Sequence, residues 1–180
     1  MADLMRTRTR AITLGGLLAA LSLLFLVIGA ISPTADLSLY ALSSLPVAIA
    51  VIELGWRRAF LVYVTVSLLG LIWPGLAFTY LFGFFFGLFP ILKALFESKL
   101  KRPLAALAKQ VVANVLIVTA TWLFARDMIL AQAEVWGWWY IPALAAALQV
   151  SVIVYDYALG LLITFYLDRL ARHIRNGRIF

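Results

Sequence analysis

The chain has 180 residues, of which 65% are hydrophobic, and its mean hydropathy is +1.03. Soluble domains are only about half apolar, so this composition excludes an ordinary soluble domain. The net charge of +7 comes from cations dispersed at the ends of apolar runs rather than gathered on one soluble face, which argues against a nucleic-acid-binding protein. The absence of cysteine excludes disulfides, thiol catalysis and Cys-ligated metals.

Six apolar runs follow one another along the chain. A membrane-spanning helix needs about 20 apolar residues, or a few fewer when its ends are anchored. Six such spans with short loops take up nearly all of the chain, which leaves no room for a soluble catalytic domain. We therefore predict an all-α integral membrane protein, a compact bundle of six transmembrane helices that forms a single membrane domain over residues 1–180. The predicted helices are about 11–32, 37–54, 59–73, 76–92, 104–125 and 141–170.

The positions of lysine and arginine predict the topology. When the six runs are threaded alternately through a membrane, fourteen of the fifteen cations fall on one side. Lys and Arg in short loops favour the cytoplasmic side, so both termini are predicted to be cytoplasmic. The fourteen are Arg6, Arg8, Arg10, Arg57, Arg58, Lys93, Lys99, Lys101, Arg102, Lys109, Arg169, Arg172, Arg175 and Arg178. Only Arg126 lies on the other side, with the acids Asp36, Asp127 and Glu134.

The first run carries a stripe of small residues. Ala11, Gly15 and Ala19 are four positions apart, and Gly16 and Ala20 lie beside them. Small residues at this spacing let another helix approach closely within lipid. The stripe indicates either packing inside this bundle or a docking face for another subunit, and the sequence leaves both interpretations open.

The longest outer connection, Arg126–Tyr140, ends in four aromatic residues around a glycine: Trp136, Trp138, Trp139 and Tyr140. Trp and Tyr are common at membrane interfaces, so a belt at the outer surface is one interpretation. This cluster is denser than a belt requires, and flat rings beside a few polar groups would suit a small heteroaromatic ligand.

Asp156 is the carboxylate closest to the middle of the predicted bilayer. It lies about 18 Å from the inner end of the sixth run, where an ionisable side chain is a functional-site hypothesis by default. Gln149 is two turns away on the same face, and Asn114 in the fifth run is at a similar depth. The group either holds helices together or binds a ligand or proton. The Lys109 side chain, also in the fifth run, could extend either toward the inner end of its helix or toward Asp156.

Hydrolytic catalysis has little support in the sequence. The only histidine, His173, lies in the cytoplasmic tail, and no second intramembrane carboxylate accompanies Asp156. No cluster has metal-ligand spacing and no ATP-binding motif is present. We therefore expect neither an enzyme, a metal site nor a cofactor, and any energy for transport must come from a partner or an ion gradient.

The chain resembles the substrate-binding S component of energy-coupling factor transporters. The resemblance rests on six helices in 180 residues, the small stripe, the short loop Ser32–Asp36, and the stretches GGLLAALSLL and ISPTADLSLYALSSLPVAIAVIELGWRRAFLVY. It implies a protein of the bacterial cytoplasmic (inner) membrane that captures a vitamin-like solute from outside. A membrane coupling subunit and two cytoplasmic ATPases would then drive release inside. The stripe Ala11, Gly15, Gly16, Ala19 and Ala20 would contact the coupling subunit, and the first outer loop would close over the ligand.

From these arguments we expect a ligand site beneath the 136–140 segment. Its candidate residues are Asp36, Asn114, Trp136, Trp138, Trp139, Tyr140, Gln149 and Asp156. The lack of a His-rich N-terminus argues against a nickel or cobalt ligand. The alternative is a non-transporting six-helix scaffold of a cell-envelope or cell-shape complex, and a proton-coupled or lipid-modifying protein that uses Asp156 is a third. A transporter subunit should have an outward-facing cavity, whereas a scaffold should be packed solid there.

Overall fold

The computed structural model describes residues 2–32 and 36–171, apart from the side chains of 2–7, 36, 77–78, 102 and 169–171. The model is 92% helical and has no strand in these described ranges, which confirms the all-α prediction. The helices are α1 (Ala2–Ile31), α2 (Asp36–Leu54), α3 (Trp56–Ile72), α4 (Leu76–Leu81), α5 (Phe89–Lys99), α6 (Arg102–Phe124), α7 (Arg126–Trp136) and α8 (Tyr140–Phe165). Two π-helical segments, Phe82–Phe86 and Tyr166–Ala171, follow α4 and α8.

Five stretches of the described helices are long and apolar enough to cross a membrane. They are Arg8–Ile31, Leu37–Leu54, Thr79–Lys99, Pro103–Phe124 and Tyr140–Asp168. Several such helices indicate a multi-pass membrane protein. The predicted third crossing corresponds to α3, whose 17 residues extend about 25 Å, less than the roughly 30 Å of a bilayer core. A sixth crossing and the orientation of the termini stay predictions.

The first three helices, α1, α2 and α3, pack against one another. Leu26, Val47 and Val66 are fully buried between them. Close approach of the helices depends on glycine, as at Gly70, where an added Cβ would lie 2.8 Å from Cγ2 of Thr79. This use of small residues fits helices that associate by packing within lipid.

The fourth apolar run extends further than predicted. We predicted a helix over about 76–92, whereas α4, a π-helical segment and α5 carry the chain to Lys99. Pro90 lies in the first turn of α5, where its missing N–H removes no helical hydrogen bond. It therefore does not end the helical stretch. In the π-helical segment the Gly87 N–H donates to the Phe82 carbonyl at 2.7 Å. The Tyr63 hydroxyl of α3 donates to the Gly83 carbonyl, also at 2.7 Å.

The predicted outer connection between the fifth and sixth predicted helices also differs from a simple loop, because residues 126–136 form α7. Asp127 in its first turn is favourable at a helix N-terminus, where the helix dipole is positive. A turn with the cis peptide bond Trp73–Pro74 joins α3 to α4.

The structure divides into two compact units, Met1–Leu130 and Ala131–Phe180. The first contains α1 to α6, and the second contains α8, with the boundary inside α7. The prediction of one membrane domain is not tested by this division and stays a prediction.

Candidate functional site

The aromatic segment, residues 136–140, joins α7 to α8 in the second unit. Gly137 has a φ of +87°, a backbone conformation that glycine adopts without strain, and it turns the chain between the two helices. The Tyr140 N–H donates to the Gly137 carbonyl at 3.0 Å, and α8 begins there. The sequence therefore places two tryptophans, Trp138 and Trp139, within the turn itself.

The three indoles of this segment are exposed. The exposed fractions are 60% for Trp136, 80% for Trp138 and 63% for Trp139, whereas Tyr140 is half-buried. Trp136 donates from Nε1 to Oε1 of Gln132 at 3.2 Å, one turn earlier in α7. Because the other two rings are more exposed still, their faces are available to a ligand, to lipid or to another protein.

Along α8 the polar candidates lie at different depths. Gln149 and Asp156 are both half-buried. At 1.5 Å per residue, Gln149 is about 13.5 Å and Asp156 about 24 Å along the helix from Tyr140. An elongated ligand that stacks on the aromatic segment can reach Gln149, but Asp156 is too far along the helix to contact the same small molecule.

Two other candidates belong to the first unit. Asn114 is exposed on α6, and its Nδ2 donates to the Gln110 carbonyl at 2.9 Å, one turn earlier in the same helix. Its side-chain carbonyl oxygen is therefore the atom best placed to interact outside its own helix. Asp36 begins α2, but its side chain lies outside the part of the structure that is described. The predicted ligand site as a whole stays a prediction.

The small-residue stripe of α1 divides into two faces. An added Cβ at Gly15 would be 3.6 Å from side-chain atoms of Leu54 and Val62, and Ala19 is buried. Gly16 and Ala20, by contrast, are exposed, and nothing lies within 4 Å of a Cβ added at Gly16. The face of Gly15 and Ala19 is thus turned into the bundle, while the face of Gly16 and Ala20 is open to a partner.

A charged cluster between α5 and α6 was not singled out from the sequence. Lys109 Nζ lies 2.9 Å from Glu97 Oε1, and Lys93, one turn before Glu97, is only 7% exposed. Two features of the sequence could have indicated this cluster. Lys93 and Glu97 are four residues apart, so they share one helix face, and the short turn after α5 brings α6 back beside it. Lys109 therefore reaches toward the end of the helix pair, in line with one of its two predicted directions.

The remaining buried polar groups mostly bond within the bundle. The Ser22 hydroxyl of α1 donates to the Ser43 carbonyl of α2, and the Ser43 hydroxyl donates to the Tyr40 carbonyl at 2.6 Å. These bonds tie α1 to α2 and satisfy polar groups in an apolar setting. Within the described ranges, no group of three His, Cys, Asp or Glu residues is arranged to hold a metal ion.

No protein-family model, curated protein or solved structure matches this chain.

Proposed function

We propose that this protein is the substrate-binding membrane subunit of an uptake transporter of the energy-coupling factor type. It crosses the membrane six times, with both termini in the cytoplasm, and captures a small vitamin-like solute from outside. Five long apolar helices and the one-sided distribution of Lys and Arg support this arrangement. An ATP-driven module must then supply the energy, since the sequence has no ATP-binding motif.

The observation that carries the proposal is the exposed aromatic segment. Three indoles that follow one another around Gly137 are exposed at the predicted outer end of α8. Aromatic faces that are already in place offer stacking area at little conformational cost to a planar ligand. We propose that a heteroaromatic solute packs on Trp138 or Trp139 and that the Gln149 amide hydrogen-bonds its far end.

Charge on the predicted outer side selects among such solutes. Asp127 and Glu134 are exposed on α7, and both are acidic. The single outer cation, Arg126, stacks over the Trp122 ring at 4.6 Å, which engages its charge. A neutral or cationic heteroaromatic is therefore favoured over an anion.

Coupling to the ATP-driven module is assigned to the exposed face of α1. Gly16 and Ala20 are four residues apart and present no bulk, so a partner helix can approach the α1 backbone there. Gly15 and Ala19, which face α2 and α3, would act in folding rather than in docking.

A second function is favoured by the same exposure. A ring that is 80% exposed, as Trp138 is, can equally contact another membrane protein or the headgroup region. On this reading the protein is a six-helix scaffold of a cell-envelope complex, and the open face of α1 binds a structural partner instead of a coupling subunit.

Identification of what copurifies distinguishes the two functions. The protein is extracted in mild detergent from its native membrane, and small molecules released by denaturation are identified by mass spectrometry. A transporter subunit is expected to release one low-mass heteroaromatic compound in near-stoichiometric amount, and a Trp138→Ala, Trp139→Ala variant is expected to release much less. Recovery of integral membrane proteins with no such compound would instead support the scaffold.

Asp156 is proposed to act apart from the aromatic segment. Asp156→Asn keeps the size and hydrogen-bonding capacity of the side chain, so ligand affinity and its pH dependence should be unchanged. A change in either would place the carboxylate at the ligand and overturn the depth argument.

A further inference from the structure

We propose that the charged groove between α5 and α6, which carries Lys93, Glu97 and Lys109, binds the phosphate group of an anionic phospholipid at the membrane surface. The inference is independent of the transport function proposed above, because a scaffold would have the same groove. It rests on position, charge and hydrogen-bonding chemistry within the first unit.

Position places the groove at the depth of lipid headgroups. Glu97 is two residues before the end of α5, about 3 Å, and Lys93 is about 9 Å from that end. Lys109 is about 10.5 Å into α6, but its side chain reaches back to Glu97 with N···O of 2.9 Å. The pair of Lys109 and Glu97 thus lies near the helix ends, where a span meets the phosphate layer rather than the hydrocarbon centre.

Charge in this region is strongly positive. Between residues 93 and 109 the sequence has five Lys and Arg residues and only one acid, Glu97. The Lys109 side chain is 14% exposed against 48% for Glu97, so the ammonium is held inside the groove while the carboxylate reaches outward. Lys99, at the end of α5, and Lys101, on the turn that leads to α6, are exposed at the rim. An anion approaching along the surface meets these cations first and the groove next.

Hydrogen-bonding chemistry points to an acceptor-rich ligand. Lysine ammonium groups only donate, and each carries three N–H bonds. A phosphate group is anionic, accepts at several oxygens, and is the group that lipids place at this depth.

Three single variants test the assignment with opposite expected signs. The protein is placed in nanodiscs of phosphatidylcholine, and the binding of added phosphatidylglycerol is measured by native mass spectrometry. Lys109→Gln should weaken phosphatidylglycerol binding by about tenfold, because it removes the central charge-assisted donor. Glu97→Gln should leave the binding equal or strengthen it, because it removes the competing carboxylate. Arg10→Gln, a matched loss of one positive charge on α1, should change the binding less than twofold.

A soluble phosphate separates the two sources of this chemistry. If sn-glycerol 1-phosphate at millimolar concentration displaces phosphatidylglycerol from wild type but not from Lys109→Gln, the groove recognises the phosphate itself and takes it from either source. If only the lipid binds, the acyl chains contribute and the source is the membrane. The proposal is overturned if Lys109→Gln and Arg10→Gln bind phosphatidylglycerol alike, or if Glu97→Gln weakens binding as much as Lys109→Gln, since a purely structural ion pair would give that result.

Discussion

Replacement of Gly87 by alanine should destabilise the first unit, although alanine is the better helix former. Gly87 follows the π-helical segment and packs against α3. An added Cβ would lie 2.7 Å from Cδ2 of Tyr63 and 2.8 and 2.9 Å from Cε1 and Cζ of Phe82. All three are ring atoms, and because the distances to both rings are below 3.0 Å, both the Tyr63 ring and the Phe82 ring, or the backbone at residue 87, must shift.

The Tyr63 ring has little freedom to move away. Its hydroxyl donates to the Gly83 carbonyl at 2.7 Å, and its ring centroid is 5.7 Å from Phe60 and 6.3 Å from Phe82. Overpacking of this kind costs about 1–3 kcal/mol. Loss of the hydroxyl bond would add about 0.5–1.5 kcal/mol. The gain in helix propensity from Gly to Ala is at most about 1 kcal/mol, so the net destabilisation should be about 0.5–4.5 kcal/mol.

Gly83→Ala, within the π-helical segment that Gly87 follows, is the matched control. Nothing lies within 4 Å of a Cβ added at Gly83, so only the propensity gain remains and the variant should be as stable as wild type or slightly more stable. The assay is reversible unfolding in mixed micelles with increasing sodium dodecyl sulfate, followed by tryptophan fluorescence. The reasoning is refuted if Gly87→Ala is as stable as Gly83→Ala.

Tyr63→Phe tests the same contact from its other side. Loss of the bond to Gly83 should cost about 0.5–1.5 kcal/mol alone. The double variant Tyr63→Phe, Gly87→Ala should lose less stability than the sum of the two single-variant losses, because the phenylalanine ring is free to shift. Strict additivity would show that the hydroxyl does not hold the ring in place.

The other predictions concern topology, docking and the ligand. A cysteine at Glu134 should react with a membrane-impermeant thiol reagent added outside intact cells and one at Ser98 should not; labelling of Ser98 contradicts the orientation. Gly16→Leu should abolish copurification with a membrane partner while the protein stays folded, because the new side chain keeps the helices apart. Gly15→Leu should instead destabilise the bundle, and equal stability of the two variants would be evidence against two distinct faces. Trp138→Ala should weaken binding of the copurified ligand by about 1–3 kcal/mol in titration calorimetry, and unchanged affinity removes that ring from the site.

Element positions were largely predictable from hydropathy, because a membrane span is a long apolar run. The predicted second helix, 37–54, agrees with α2 within one residue. The run that begins at residue 76 was harder, since nothing in GFFFG distinguishes a π-helical turn from an α-helical one. Its continuation past Pro90 depends on where the preceding helix ends, which apolar content does not reveal.

Which face of a helix turns inward could not be read from the sequence. Gly15 and Gly16 are adjacent and identical, yet one faces Leu54 and Val62 and the other is open. The rotation of α1 is set by its neighbours α2 and α3, whose packing the sequence does not display. The ion pair between Glu97 and Lys109 was missed for the same reason, because it depends on how α5 and α6 face each other.

The hydrogen-bond partners of the buried polar side chains in the first unit could not be predicted either. Serines on apolar helices are too common to mark a contact, so the bond from Ser22 to the Ser43 carbonyl required the packed structure. Aromatic density at 136–140, by contrast, was visible in the sequence, and the structure places three of those rings in exposed positions.

The central claim is that this protein binds a small solute at the aromatic segment, and native mass spectrometry of the protein released from its own membrane tests it most directly. The account predicts a one-to-one adduct of a low-mass heteroaromatic compound on wild type, retained in Gly83→Ala and lost in the Trp138→Ala, Trp139→Ala variant. A wild-type protein that carries no such adduct, but is released together with other integral membrane proteins, would contradict the account.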